Sequence, residues 1–230
     1  MLQELDVLNF YNLLWLEQFI QTNKGIICGG CFKNIFNKEK VKDIDIFFRN
    51  ESDWILAVEE FDQVTAGYKS PFDLEDEGLK ESDATFIFHY ENDNVRAYKH
   101  IKTGVVLELC RKVFGEPKDI LNQFDFTITK FAFYKEKVYD DIPQDDESNC
   151  QYHYETKILC HDKFFEHLHL KRLVIDDKIP FPMSTFERVI RYSRYGYMPC
   201  KETKIELAKA INKLSPEEIE VSQALYAGMD

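Results

Sequence analysis

Asp43 and Asp45, in the run Asp43-Ile44-Asp45-Ile46, are the residues best placed to do chemistry. Successive side chains of an extended chain point to opposite faces, so both carboxylates share one face and both isoleucines the other. Neighbouring carboxylates repel, and the pair costs free energy unless a cation or a proton lies between them. Just upstream, Gly29 and Gly30 offer unobstructed backbone N–H groups at the start of a helical stretch, a setting that suits phosphate. A phosphate cradle beside a carboxylate pair able to hold a divalent cation is the equipment of phosphoryl or nucleotidyl transfer. Glu108 adds a third acid, in Val106-Leu107-Glu108-Leu109, where an apolar run leaves an acidic side chain in need of a partner.

These residues need elements to position them. Residues 25–50 read as strand, tight diglycine turn, short helix, loop and second strand. Residues 2–22 predict a long helix that covers one face of a sheet, ended by Lys24-Gly25. A helix over 54–61 follows, capped at Ser52-Asp53, and then a strand over 64–68. Residues 70–83 are acidic and read as a solvated loop, although Glu75, Asp76 and Glu77 are also possible metal neighbours. Strands over 84–90 and 95–101, joined across Glu91-Asn92-Asp93-Asn94, form a hairpin, and 105–110 continues the meander. A strand beside the Asp43 strand would bring Glu108 onto the same open face. Pro117 starts a short helix, 124–134 alternates like a strand, and Tyr134 to Val138 predicts its turn. Asp125, in that segment, is the rival third carboxylate.

The chain resembles the DNA polymerase beta-like nucleotidyltransferase superfamily. The likeness rests on Cys28-Gly29-Gly30, on the Asp43/Asp45 pair and on Glu108 between apolar residues, and it covers roughly residues 25–110. The chain is also similar to small nucleotidyltransferase-like proteins of phages and bacteria. The resemblance implies an α/β (α+β) fold, a mixed sheet backed by helices with a small, mainly helical C-terminal region. It implies transfer of a nucleoside monophosphate from an NTP to an acceptor, with Mg²⁺ or Mn²⁺ and release of pyrophosphate. Asp43 and Asp45 would bind both metals and Glu108 the metal near the acceptor. Gly29, Gly30, Cys31, Lys33 and Arg188 would contact the nucleotide. Cys31 departs from the family, where a serine is frequent, so a backbone N–H remains there without the hydroxyl. The acceptor stays open between tRNA, another RNA, a protein and a small molecule.

Composition narrows the classes. Hydrophobic residues make up 44% of 230 residues and aromatics 14%, enough to build a core. A net charge of −12 argues against broad, nonspecific nucleic-acid binding and would suit a basic protein partner. No basic leader and no apolar run of about 18 residues is visible, so the expectation is a cytoplasmic protein, in the host if phage-encoded, without membrane partners. A catalytically silent protein of this fold, binding nucleotide or a protein partner, is the alternative function; a metal-dependent hydrolase is a third. Pro and acids at 141–149 mark a boundary between a catalytic domain, 1–142, and a small helical domain, 143–230, walling the cleft.

Other motifs are weaker. Cys28-x-x-Cys31 brackets the diglycine turn and reads as packing rather than zinc or redox chemistry. His167-x-His169 does not share a helix face. In the C-terminal part, helices are expected over 161–170, 184–196, 201–214 and 215–226, with an extended piece at 173–175. Lys171, Arg172, Arg188, Arg191 and Arg194 form a basic group that suits phosphate or a solvated helix face equally. Tyr192, Tyr195 and Tyr197 read as core packing rather than base stacking.

Overall fold

The structure, a computed structural model, describes residues 1–20, 24–66, 84–139, 152–176 and 179–219. Strand β1, Leu2–Leu5, is followed by two 3-10 stretches, Val7–Asn9 and Tyr11–Phe19. Then come β2 (Ile26–Cys28), α1 (Cys31–Phe36), β3 (Asp43–Phe48) and α2 (Glu51–Gln63). The meander follows as β4 (Phe86–Glu91), β5 (Val95–His100) and β6 (Val106–Phe114), then α3 (Pro117–Leu121). β7 (Phe131–Tyr139) and β8 (Tyr152–His161) complete the main sheet. The C-terminal part holds α4 (Phe164–His169), β9 (Arg172–Leu173), α5 (Pro182–Arg194), β10 (Met198–Pro199) and α6 (Lys201–Ile211). The main sheet has eight strands in the order β1-β8-β7-β2-β3-β6-β5-β4 and is mixed: β3 and β6 are parallel, their outer neighbours antiparallel. This is the mixed α/β architecture expected of the sequence.

Two compact units emerge. One comprises Leu2–Leu121 and Phe131–Cys160; the other comprises Met1, Asn122–Lys130 and His161–Asp230. In the first, alternation decides which face is dry. Ile44, Ile46, Leu107 and Leu109 are buried on the side where α2 packs, and Trp54 Nε1 donates to the Leu109 carbonyl at 3.1 Å. Asn50 caps α2 by accepting from the Asp53 N–H at 2.9 Å, two residues before the Ser52 expected to open the cap. On the same dry face, Asp62 takes two bonds from Arg96 and one from Tyr98, so its buried charge is fully met. In the second unit Phe126, Tyr192, Tyr197, Phe164 and Leu207 are buried, and Tyr192 lies edge-on to both Phe126 and Tyr197.

Several local expectations are overturned. Over the described part of the expected 2–22 helix, residues 2–20, there is no single α-helix: β1 joins β8 at the sheet edge, and Asp6 accepts from the Leu8 N–H to start a 3-10 turn. A free sheet edge offers more backbone hydrogen bonds than an isolated amphipathic pattern can repay. Residues 124–130 are not a strand. A 3-10 turn at Thr127–Thr129 interrupts them, its Thr129 hydroxyl returned to the Phe126 carbonyl. β7 then runs straight through 134–138, where a turn was expected, because β8 pairs with it over its whole length. β8 falls within residues 143–230, where the sequence predicts a mainly helical domain, and it is a strand because it pairs with β7. Of the expected strand over 64–68, only a bridge from Thr65 to Phe86 is described. Ser184 and Thr185 are buried inside α5, which starts instead at Pro182. The acidic loop over 70–83, the boundary at 141–149 and most of the last helix, 215–226, lie outside the described residues. Among the described residues no helix is long and apolar enough to cross a membrane.

Candidate functional site

The site is built by register. Asp45 on β3 stands opposite Glu108 on β6, and Asp43 stands opposite Val106. Directly paired residues point to one face of a sheet, so a single row crosses it: Ala132, Cys28, Asp45, Glu108, Ala97 and Tyr90. Asp43 lies two residues back on the same face. That face is opposite the one α2 covers. The carboxylates therefore gather where the sheet leaves room, while the intervening isoleucines and leucines anchor the strands beneath.

Electrostatics mark the same place. Asp43 is exposed, and Asp45 and Glu108 are half-buried. Burial, followed by the charges of Glu108 and Asp43, pushes the Asp45 carboxyl well above the usual carboxylate range. Three sulfurs wall the pair. Cys28, Cys31 and Cys110 are buried, and burial first, then nearby charges that include Asp45, pushes each thiol up. Such thiols stay protonated and inert, which agrees with the packing role expected of Cys28 and Cys31.

The Tyr90 hydroxyl donates to Glu108 Oε1 at 2.6 Å across the small Ala97 side chain. Sequence reasoning passed over Tyr90. A register shift between Phe88 and Tyr90 sets its facing, and no strand alternation displays such a shift.

The remaining candidates have local duties. Gly29 adopts φ +93°, open to glycine, and its N–H donates to the Phe131 carbonyl at 3.2 Å. It shapes the turn and has no donor to spare, contrary to the cradle role expected of that N–H. Gly30 precedes α1, whose start has no side-chain cap. The buried Lys33 donates to Glu39 at 2.9 Å. Arg188 lies in the other unit, where its guanidinium meets the buried Asp125 at 2.7 Å. Asp125 also accepts from the Phe126 N–H, so it is a local structural acid with its partners supplied. Lys171 spreads its ammonium over the Tyr197 ring at 4.5 Å, and Tyr192 and Tyr197 pack as core.

Three carboxylates are hard oxygen donors, the chemistry a magnesium or manganese ion takes. The like-charge pressure on Asp45 is what such a cation would relieve. In arrangement, however, no group of three or more His, Cys, Asp or Glu side chains among the described residues is set to hold a metal ion.

Comparison with known proteins supplies the rest. A sequence model for "Gad2: Gabija anti-defense 2 family protein" matches residues 2–171. "Gabija anti-defense 2" of Bacillus phage SPbetaL7 is 22% identical over 223 residues, covering 93% of this chain and 44% of that protein. The chain thus spans less than half the length of that relative. Among solved structures, a tRNA-processing enzyme in an apo form matches with a TM-score of 0.52 at 16% identity, over 98% of this chain and 58% of that one. A CCA-adding enzyme in complex with ATP matches with a TM-score of 0.51 at 14% identity, over 96% and 50%. At these identities the likeness is one of fold, a distant resemblance to the polymerase beta-like nucleotidyltransferases.

Proposed function

The chain belongs to the Gabija anti-defense 2 family, and on that premise we propose that it counters the Gabija defense as a nucleotidyltransferase-fold protein that binds a nucleoside triphosphate. The binding face is that of Asp43, Asp45 and Glu108. The observation that carries this reading is the register of Asp45 against Glu108. Like charges held at one height across two adjacent strands are tolerated when a cation joins them, and a nucleoside triphosphate brings its own divalent cation. Gly30 and the backbone of Cys31 would face the phosphates. Lys33 would exchange Glu39 for them.

Equilibrium binding of each NTP, with Mg²⁺ or Mn²⁺, to the full chain and to D43A/D45A tests this. At least a tenfold loss of affinity in the double variant is expected. Equal binding by both proteins, or none by the wild type, sinks the proposal.

Transfer is the second reading, favoured by the hard-oxygen donor set itself. When bound by Asp43, Asp45 and Glu108, a divalent ion would supply Lewis acidity to the phosphates and to the acceptor hydroxyl. The residues' own part would be to fix the triphosphate and to take the acceptor's proton. The acceptor class — tRNA or other RNA, a protein, a small molecule — belongs to this reading. Incubation with α-labelled NTP and cellular RNA and protein separates the two. Label moved by wild type and not by D43A/D45A supports transfer; NTP binding without pyrophosphate release leaves binding as the function.

A further inference from the structure

We propose that the outer end of the β7–β8 ribbon is a docking face for a basic segment of a protein partner, which seats an arginine or lysine side chain on the rings of Tyr139 and Tyr152. The inference is independent of nucleotide binding. β2 pairs with β7 only at Ala132, Phe133 and Tyr134, whereas β7 and β8 stay paired out to Tyr139 opposite Tyr152. The last pairs therefore run on past β2 as a ribbon. Lys137 stands opposite Tyr154 and Tyr139 opposite Tyr152, so alternation gathers all four side chains on one face. That face is the one Phe133 and Ile27 share with Ile46, and Asp45 points to the other.

The tyrosines form a cluster outside the core. Tyr152 lies edge-on to Tyr154 at 6.0 Å and to Tyr139 at 6.3 Å, yet Tyr139 keeps 57% of its surface exposed and Tyr152 51%. Large, rigid rings left open to solvent supply binding area at little cost in conformational entropy, and such residues dominate protein interfaces. The ribbon's own lysine shows what the rings take. The Lys137 ammonium lies 3.7 Å from the centre of the Tyr152 ring and 4.8 Å from that of Tyr139. Both distances fall inside the reach of a cation–π contact, about 6 Å. Lys137 is exposed and its stem is flexible, so it can swing aside. A partner's guanidinium, planar and less tightly hydrated, stacks better in its place.

Charge selects the partner. The unit that carries the ribbon, Leu2–Leu121 with Phe131–Cys160, holds 17 Lys and Arg against 29 Asp and Glu, which is the entire net charge of −12. On the ribbon's other face Glu136 stands directly opposite Glu155, a like-charge pair that a basic neighbour relieves. Two further lysines of the ribbon are met within the chain: Lys135 lies 3.8 Å from Glu17, and Lys157 lies 2.6 Å from Glu155. A nucleic acid would bring phosphates to this acidic unit, and a second copy of the chain would bring the same negative charge. A basic protein segment is the occupant that complements it.

The test is fluorescence anisotropy of the full chain with a labelled peptide of alternating arginine and glycine, run beside a labelled single-stranded oligonucleotide. Y139A/Y152A, which leaves the net charge unchanged, should bind the peptide about tenfold more weakly. Lys137→Gln clears the rings and should bind it about threefold more tightly than Lys118→Gln, which removes the same charge from an exposed position on α3. Circular dichroism checks the fold of each variant. Lys137→Gln keeps both rings, so its comparison decides the matter even if the tyrosine variant folds poorly. Equal affinity in wild type and Y139A/Y152A, no binding by the wild type, or Lys137→Gln no tighter than Lys118→Gln overturns the proposal. Oligonucleotide binding that Y139A/Y152A abolishes overturns it too, and assigns the rings to stacking on the bases of a single strand.

Discussion

Asp45→Asn keeps the side chain's shape and removes its charge from the row of acids on the open face of the sheet. β3 and β6 are neighbours, and Asp45 faces Glu108 in register. Strands lie about 4.8 Å apart. Two unit charges at that separation repel by about 3 kcal/mol at an effective dielectric of about 20. Asp45 already escapes part of this, because burial and the charges of Glu108 and Asp43 favour its protonated form. The gain recoverable at neutral pH is therefore smaller, about 1–2 kcal/mol. For a chain of this size that is a rise of about 2–8 °C in the midpoint of thermal unfolding.

The pH dependence has a definite sign. Asp45 holds its proton more tightly in the folded state than in the unfolded chain, since its folded pKa is raised. Its stabilising contribution is complete below the unfolded value and is lost as pH rises through the folded one. The asparagine variant lacks this loss, so its advantage should be absent in acid and widest on the alkaline side. Urea unfolding of both proteins in metal-free buffer, followed by circular dichroism across that range, measures it. Adding a divalent cation with NTP should stabilise the wild type and close the gap. If D45N is instead less stable by more than about 1 kcal/mol, or the gap is flat with pH, the charge is not strained and the electrostatic reasoning for the site fails.

Gly29→Ala puts a side chain at φ +93° and should cost about 1–2 kcal/mol in urea unfolding, without touching Asp43 or Asp45; a neutral result would mean that the turn relaxes freely. Arg188→Ala leaves the buried Asp125 without its guanidinium and should destabilise the protein by about 2 kcal/mol, discounted because the arginine is itself partly exposed. Unchanged thermal stability together with weakened NTP affinity would instead give Arg188 the nucleotide role that the sequence suggests. Cys28, Cys31 and Cys110, with thiols pushed up by burial, should react with a disulfide reagent at neutral pH only at the rate of unfolding; rapid labelling of the native protein would contradict their packing role.

The shared face of the candidate acids was legible because its information is local. Alternation in Asp43-Ile44-Asp45-Ile46 sends the acids one way and the isoleucines the other, and that pattern survives any arrangement of the strand. Glu108 was readable as an acid out of place in an apolar run. The central strands and helix α2 followed from the same periodicities. The edges of the fold were not legible. Residues 2–5 carry no strong strand signal and are strand because β8 offers them a ladder. Thr127–Thr129 alternate well and still turn, because a hydroxyl returns to the backbone there.

The roles of Arg188 and Tyr90 were decided by partners distant in sequence. Arg188 meets Asp125, and Tyr90 meets Glu108, at separations that no local pattern spans. The sequence by itself determined which face of β3 is acidic and that a tight diglycine turn precedes it. Only the tertiary structure decided which acid stands opposite Asp45, and which hydroxyl reaches that acid. Register between strands is set by packing of the buried face and by bulges, and each side chain on the open face inherits its neighbours from that choice.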